Sequence, residues 1–140
     1  MVTILFACIE NTARSQMAAA LFNHKANPTH ARAFSAGTRP GRFMPPVIVE
    51  VMAEVGIDLA SSKPQLLTTD VMRLADWLIA MGCEGEYRPL RHLRHETWPV
   101  EEPLGGSMHK ARLVRDDLSR RTGELLARVE GFGGFGGHAA

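Results

Sequence analysis

Residues 2–7, Val2-Thr3-Ile4-Leu5-Phe6-Ala7, form a compact apolar run rich in β-branched residues that ends at Cys8. The run is too short to cross a bilayer, and no basic residue precedes it as a signal peptide requires. It predicts a strand covered on both faces, the kind found in a parallel sheet. From Ala13 the pattern changes: Met17, Ala20, Leu21 and His24 recur at helical spacing, and Pro28 closes the segment. Cys8 to Ser15 therefore falls on a strand-to-helix turn.

The rest of the chain repeats this alternation. Ala31 to Ala36 predicts a second strand ending at Gly37, and Pro45-Pro46 can open a helix. Val47, Val51, Met52 and Val55 follow as the apolar positions of that helix, with Gly56 as its stop. Trp77 to Met81 predicts a third strand ending at Gly82-Cys83, and Leu93 to Trp98 a fourth. Ala111, Val114, Leu118, Leu125 and Val129 mark one face of a long final helix. Its arginines (Arg112, Arg115, Arg120, Arg121 and Arg128) alternate with Asp116, Asp117 and Glu124, as on a solvated face. Strands alternating with helices predict a single open four-stranded parallel sheet with helices on both faces. Ligands of such sheets bind beyond the carboxyl ends of the strands. Cys8 and Cys83 both fall at such ends. The expected organisation is one catalytic domain over residues 1–130 and a flexible glycine-rich tail over 131–140.

Composition narrows the function classes. The formal net charge of +1 provides no global field for nucleic acid or an anionic membrane, so neither is expected as a partner. The chain holds two cysteines, which suits a reducing, cytoplasmic setting rather than a secreted disulfide scaffold. His92 and His95 have no third ligand nearby in sequence, and no metal site is expected.

The turn Cys8-Ile9-Glu10-Asn11-Thr12-Ala13-Arg14-Ser15 reads as an anion-binding device. A loop entering a helix presents backbone N–H groups and the positive end of the helix dipole. Successive N–H groups from Ile9, Glu10, Asn11, Thr12, Ala13 and Arg14 would form a concave nest. Arg14 adds a planar fork of donors suited to a tetrahedral oxyanion. Cys8 stands at its mouth, where the positive surroundings favour a nucleophilic thiolate. Ser15 can donate a hydrogen bond to that thiolate. Asn11 suits a left-handed backbone position in a tight loop. Glu10 would repel a dianion if it faced inward, so it is expected to face solvent.

Residues 4–22, ILFACIENTARSQMAAALF, resemble the active-site loop and first helix of the low-molecular-weight protein tyrosine phosphatase family, and more closely its arsenate reductase branch. Phe34 to Thr38, Val51 to Leu59, Ala80 to Cys83 and Trp98 to Pro103 resemble later signatures of that family in the same order. Gln16 stands where the phosphatases have proline, as it does in the reductases. Cys83 stands where thioredoxin-linked reductases keep a second redox cysteine. Three departures qualify the likeness. No third cysteine follows Cys83; Glu102 before Pro103 replaces the family's aspartate general acid; and Ala19 replaces a first-helix glutamate that helps bind potassium in some reductases.

The resemblance implies a thiol-dependent arsenate reductase without a bound cofactor. Cys8 would attack arsenate, with Arg14 and the loop holding charge and Glu102 donating a proton. A second thiol, either Cys83 or a small thiol such as glutathione or mycothiol, would attack the Cys8 sulfur and release arsenite. Thioredoxin or a glutaredoxin-type protein would restore the enzyme. Two other functions stay open. One is a phosphatase acting on phosphate monoesters through a phosphocysteine, with the same Cys8 and Arg14. The other is a non-catalytic oxyanion or redox sensor.

Overall fold

The computed structural model describes residues 1–105 and 107–139, with side chains through residue 130 except that of residue 106. Four strands, β1 (Val2–Cys8), β2 (Ala31–Gly37), β3 (Trp77–Ala80) and β4 (Arg94–Thr97), form one sheet in the order β2-β1-β3-β4. Every neighbouring pair is parallel. Four helices connect and follow them: α1 (Arg14–Lys25), α2 (Pro46–Ala53), α3 (Thr69–Arg73) and α4 (Met108–Ala139). This is the expected open four-stranded parallel sheet. The backbone of α4 continues through the glycine-rich segment that composition alone assigned to a flexible tail; the side chains of that segment lie outside the described residues.

Strand alternation sorts the core into two layers. Ile4 and Phe6 of β1, with Trp77 and Ile79 of β3, pack against Met17, Leu21 and Phe22 of α1, Ile48, Val51 and Met52 of α2, and the apolar stripe of α4. Leu5, Ala7, Leu78 and Ala80 point the other way and are covered by Met72, Ala75, Cys83 and Leu93. Ala111, Val114, Leu118, Leu125 and Val129 of α4 are all buried, as their spacing requires. Edge strand β4 keeps most of its side chains exposed, which explains its weak apolar signal.

Two readings need correction. On α2 the buried side chains are Ile48, Val51 and Met52, whereas Val47 is half-buried and Val55 is exposed. Val55 lies past the helix, in a turn where Gly56 N–H donates to Ala53 O at 3.0 Å and Ile57 N–H to Met52 O at 3.0 Å. Gly56 takes φ +81° there, so it does close the segment. Second, α4 does not present a merely solvated arginine face. Arg115 is buried, its Nη1 donating to Val51 O and Glu54, and Arg112 and Arg128 form paired hydrogen bonds with Glu54 and Glu96. His92 and His95 are engaged separately, with Ala75 O at 2.8 Å and with the Tyr87 hydroxyl at 2.6 Å. Among the described residues, no helix is long and apolar enough to cross a membrane.

Candidate active site

The loop between β1 and α1 takes its shape from the segment after β2. Thr38, Arg39 and Gly41 N–H groups donate to the carbonyls of Cys8, Ile9 and Glu10, at 3.2, 2.8 and 2.9 Å. Drawing these carbonyls to one side turns the peptide N–H groups toward the other. Among the described residues, nothing accepts from the N–H groups of Glu10, Asn11, Thr12 or Ala13. Helix α1 starts at Arg14 with no side chain capping its N-terminus. Open amides and an open helix end together make an anion nest. Gly37 permits the close approach, because a Cβ there would lie 2.5 Å from Ile9 O and 2.9 Å from Asn11 N.

Asn11 is the hinge of this loop. It is fully buried with φ +56°, a left-handed position that asparagine tolerates. Its Oδ1 accepts the Gln65 backbone N–H at 2.9 Å, which fixes the amide orientation. Its Nδ2 then donates to Ser15 Oγ at 2.7 Å. Ser15 Oγ lies 2.8 Å from Cys8 Sγ. Because Ser15 already accepts from Asn11, its own proton is available to the Cys8 sulfur. Gln16 Nε2 ties this cluster to Lys63 O at 3.1 Å.

Arg14 reaches across from α1 to the loop after β4. Its Nη1 donates to Val100 O at 3.1 Å, its Nη2 lies 3.4 Å from Glu102 Oε2, and its Nε is buried without a partner. Gly82 passes directly over the guanidinium: a Cβ there would lie 2.7 Å from both terminal nitrogens. The resulting pocket, about 270 Å³, is lined by Cys8, Ile9, Glu10, Thr12, Ala13, Arg14, Arg39 and Glu102. Thus Glu10, expected to face solvent, is exposed yet also lines the pocket.

Cys83 occupies a different environment. It follows β3, whose Met81 N–H donates to Ala7 O at 2.8 Å, and it is wholly buried in the second core layer. Burial pushes its thiol up to about 11, partly offset by the backbone near Met81 and reinforced by the charges of Cys8 and Glu84. Both cysteines are free. Beside Cys83, burial also raises the Tyr87 hydroxyl.

The residues of the loop itself were readable because they are adjacent in sequence. Arg39, Gln65, Gly82 and Glu86 were missed. Their signal was positional: parallel strands deliver the residues after β2 and β3 to the same edge as Cys8.

Comparison with known proteins agrees with this architecture. The family model described as low molecular weight phosphotyrosine protein phosphatase matches residues 3–131. An arsenate reductase of Brevibacillus brevis is 29% identical over 122 residues, 85% of this chain and 90% of that protein. A thioredoxin-dependent arsenate reductase of Corynebacterium glutamicum superposes with a TM-score of 0.81 at 28% identity over 93% of this chain, which spans 62% of that protein's structure. A low molecular weight protein tyrosine phosphatase from T. tengcongensis gives a TM-score of 0.81 at 26% identity, over 91% of this chain and 99% of that one. The chain belongs to the low molecular weight phosphotyrosine protein phosphatase family.

Proposed function

We propose that this protein is an arsenate reductase acting through Cys8. The observation that carries the reading is the pocket itself: a cysteine beneath open amides and a guanidinium, with no aromatic side chain among its lining residues. Such a site suits a small tetrahedral oxyanion better than a flat aryl ester. In the first step the Cys8 thiolate forms a bond to arsenic(V), and an arsenate oxygen leaves as water after protonation by Glu102. The loop amides and Arg14 hold the charge. A second thiolate then attacks the Cys8 sulfur. The sulfur–arsenic bond breaks with its electron pair going to arsenic, arsenite leaves as arsenic(III), and the two thiols are oxidised to a disulfide. Cys83 is one candidate for the second thiol, and a small thiol such as glutathione or mycothiol is the other. The likeness to a thioredoxin-dependent reductase supports a thioredoxin-type reductant, with a glutaredoxin-type protein as the alternative. Chemistry that consumes reduced thiols fits a cytoplasmic setting.

A second reading is hydrolysis of phosphate monoesters through a phosphocysteine. It is favoured by the carboxylate of Glu102 beside Arg14, at the pocket lining, where a leaving group would be protonated. A paired assay on wild type and Cys83→Ser separates them. Arsenite release that collapses in the variant assigns the second attack to Cys83. Release that survives with a small thiol keeps the reductase and assigns the attack to that thiol. Fast aryl phosphate hydrolysis in both proteins with no arsenite makes this a phosphatase.

A further inference from the structure

Arg39 belongs to two structures at once. It lines the pocket with Cys8, and its backbone N–H is anchored to Ile9 O at 2.8 Å. Its guanidinium, however, is held by a carboxylate. Nε and Nη2 donate to the two oxygens of Glu86, both at 3.2 Å, and Thr38 Oγ1 donates to the same carboxylate at 3.1 Å. Glu86 is three residues past Cys83, and its backbone N–H donates to Cys83 O at 3.1 Å. The turn that carries Cys83 is therefore latched to the segment after β2 by the Arg39 ion pair and the Thr38 hydrogen bond. Cys83 has no exposed surface, so a reagent in solvent reaches its thiol only when its surroundings, this turn among them, open.

We propose that Arg39 positions the oxyanion by changing partner: as the anion fills the loop, Arg39 turns from Glu86 to the anion, and the freed Glu86 lets the Cys83 turn open. The inference rests on the reading of the Cys8 loop as an oxyanion site. A guanidinium binds a carboxylate and a tetrahedral oxyanion with the same fork of donors, so the two compete for it. The Arg39 side chain is 71% exposed, and so exposed a pair is weak enough to exchange. The pocket supplies the drive. Its lining includes two carboxylates, Glu10 and Glu102, the latter already beside Arg14, so an entering dianion gains from a second guanidinium. Coupling of this kind is reciprocal: what occupies the loop weakens the latch, and what breaks the latch exposes Cys83.

In Cys8→Ser, Cys83 is the one remaining cysteine of the chain, so its alkylation by iodoacetamide reports the latch alone. Inorganic phosphate serves as the probe, with its binding read separately as a rise in melting temperature. Phosphate is expected to speed alkylation about tenfold. Adding Glu86→Gln should give the fast rate without phosphate and erase the phosphate effect. Arg39→Ala, which removes the other half of the pair, should do the same and weaken phosphate binding. A merely structural role for the pair would not make labelling depend on phosphate. If phosphate binds but leaves the labelling rate unchanged, the partner exchange is wrong. It is equally wrong if both variants stay folded by their melting curves and label as slowly as the parent. No phosphate-induced rise in melting temperature would sink the oxyanion reading itself, and the exchange with it.

Discussion

Ser15 touches Cys8 and Gly82 lies against Arg14, and each contact can be tested by a single atom. The Ser15 hydroxyl is placed by Asn11 to donate to Cys8 Sγ at 2.8 Å. Losing a hydrogen bond to a charged group costs about 1.5–3 kcal/mol. Ser15→Ala is therefore expected to slow alkylation of Cys8 at neutral pH, and turnover by roughly 10–100-fold, with KM changed less. Unchanged alkylation would mean that Ser15 does not serve the sulfur. Gly82 tests Arg14. Gly82 and Gly85 have similar left-handed backbones, φ +83° and +88°, but a Cβ at Gly85 meets nothing within 4 Å, whereas one at Gly82 strikes the Arg14 guanidinium. Both alanine variants should lose comparable stability, about 1–3 kcal/mol from backbone strain. Only Gly82→Ala should weaken phosphate binding, by about 10–100-fold, since a misplaced binding group costs that much. Isothermal titration with phosphate checks the contrast. Asn11, Arg14 and Ser15 could be singled out in the sequence because the whole device spans eight consecutive positions. Gly82 looked like a mere strand terminator, since its contact with Arg14 exists only once β3 lies beside β1.

Helix α4 shows which elements sequence periodicity can specify. Its apolar stripe repeats over several turns and closes the larger core layer. Leu118 is fully buried while Leu113 on the same helix is 56% exposed. Leu118→Ala is expected to cost about 2–5 kcal/mol, and Leu113→Ala to stay within about 0.5 kcal/mol, both read from urea unfolding midpoints. Equal effects would show that α4 does not pack as described. The elements that sequence reading rendered poorly lack such repetition. Helix α3 has five residues and buries only Met72, too short for any period to register. Its one local signal is Thr68, whose side chain accepts the Val71 N–H at 3.1 Å as an N-cap. On α2, four valines in nine positions hid the true buried face, because hydrophobicity alone could not rank Val47 and Val55 below Ile48. The arginines of α4 looked solvated for a related reason. Glu54 lies 58 and 61 residues from Arg112 and Arg115, and Glu96 lies 32 from Arg128.

Those long-range pairs set how the molecule as a whole responds to acid. Glu54, just past α2, accepts hydrogen bonds from Arg112 and Arg115 of α4, and this holds its carboxyl down to about 2 from an ordinary 4.5. Glu96 of β4 is likewise held below its ordinary value, chiefly by Arg128. Both pairs pin α4, one to α2 and one to the sheet edge. A carboxyl with a depressed folded-state value contributes stability above its unfolded value and loses it as pH falls through the folded one. For Glu54 the window runs from about pH 4.5 down to about 2. The wild type is therefore expected to melt above Glu54→Gln at pH 7, and the gap should narrow across that window as the native carboxylate takes up a proton. Partial exposure of Glu54 and Arg112 means that added salt should narrow the gap at pH 7 as well. Melting curves of both proteins at pH 7, 4.5, 3 and 2 decide the matter. A gap that stays constant across the window would show that Glu54→Gln acts through lost packing rather than lost charge, and acid sensitivity would then have to originate elsewhere in the fold.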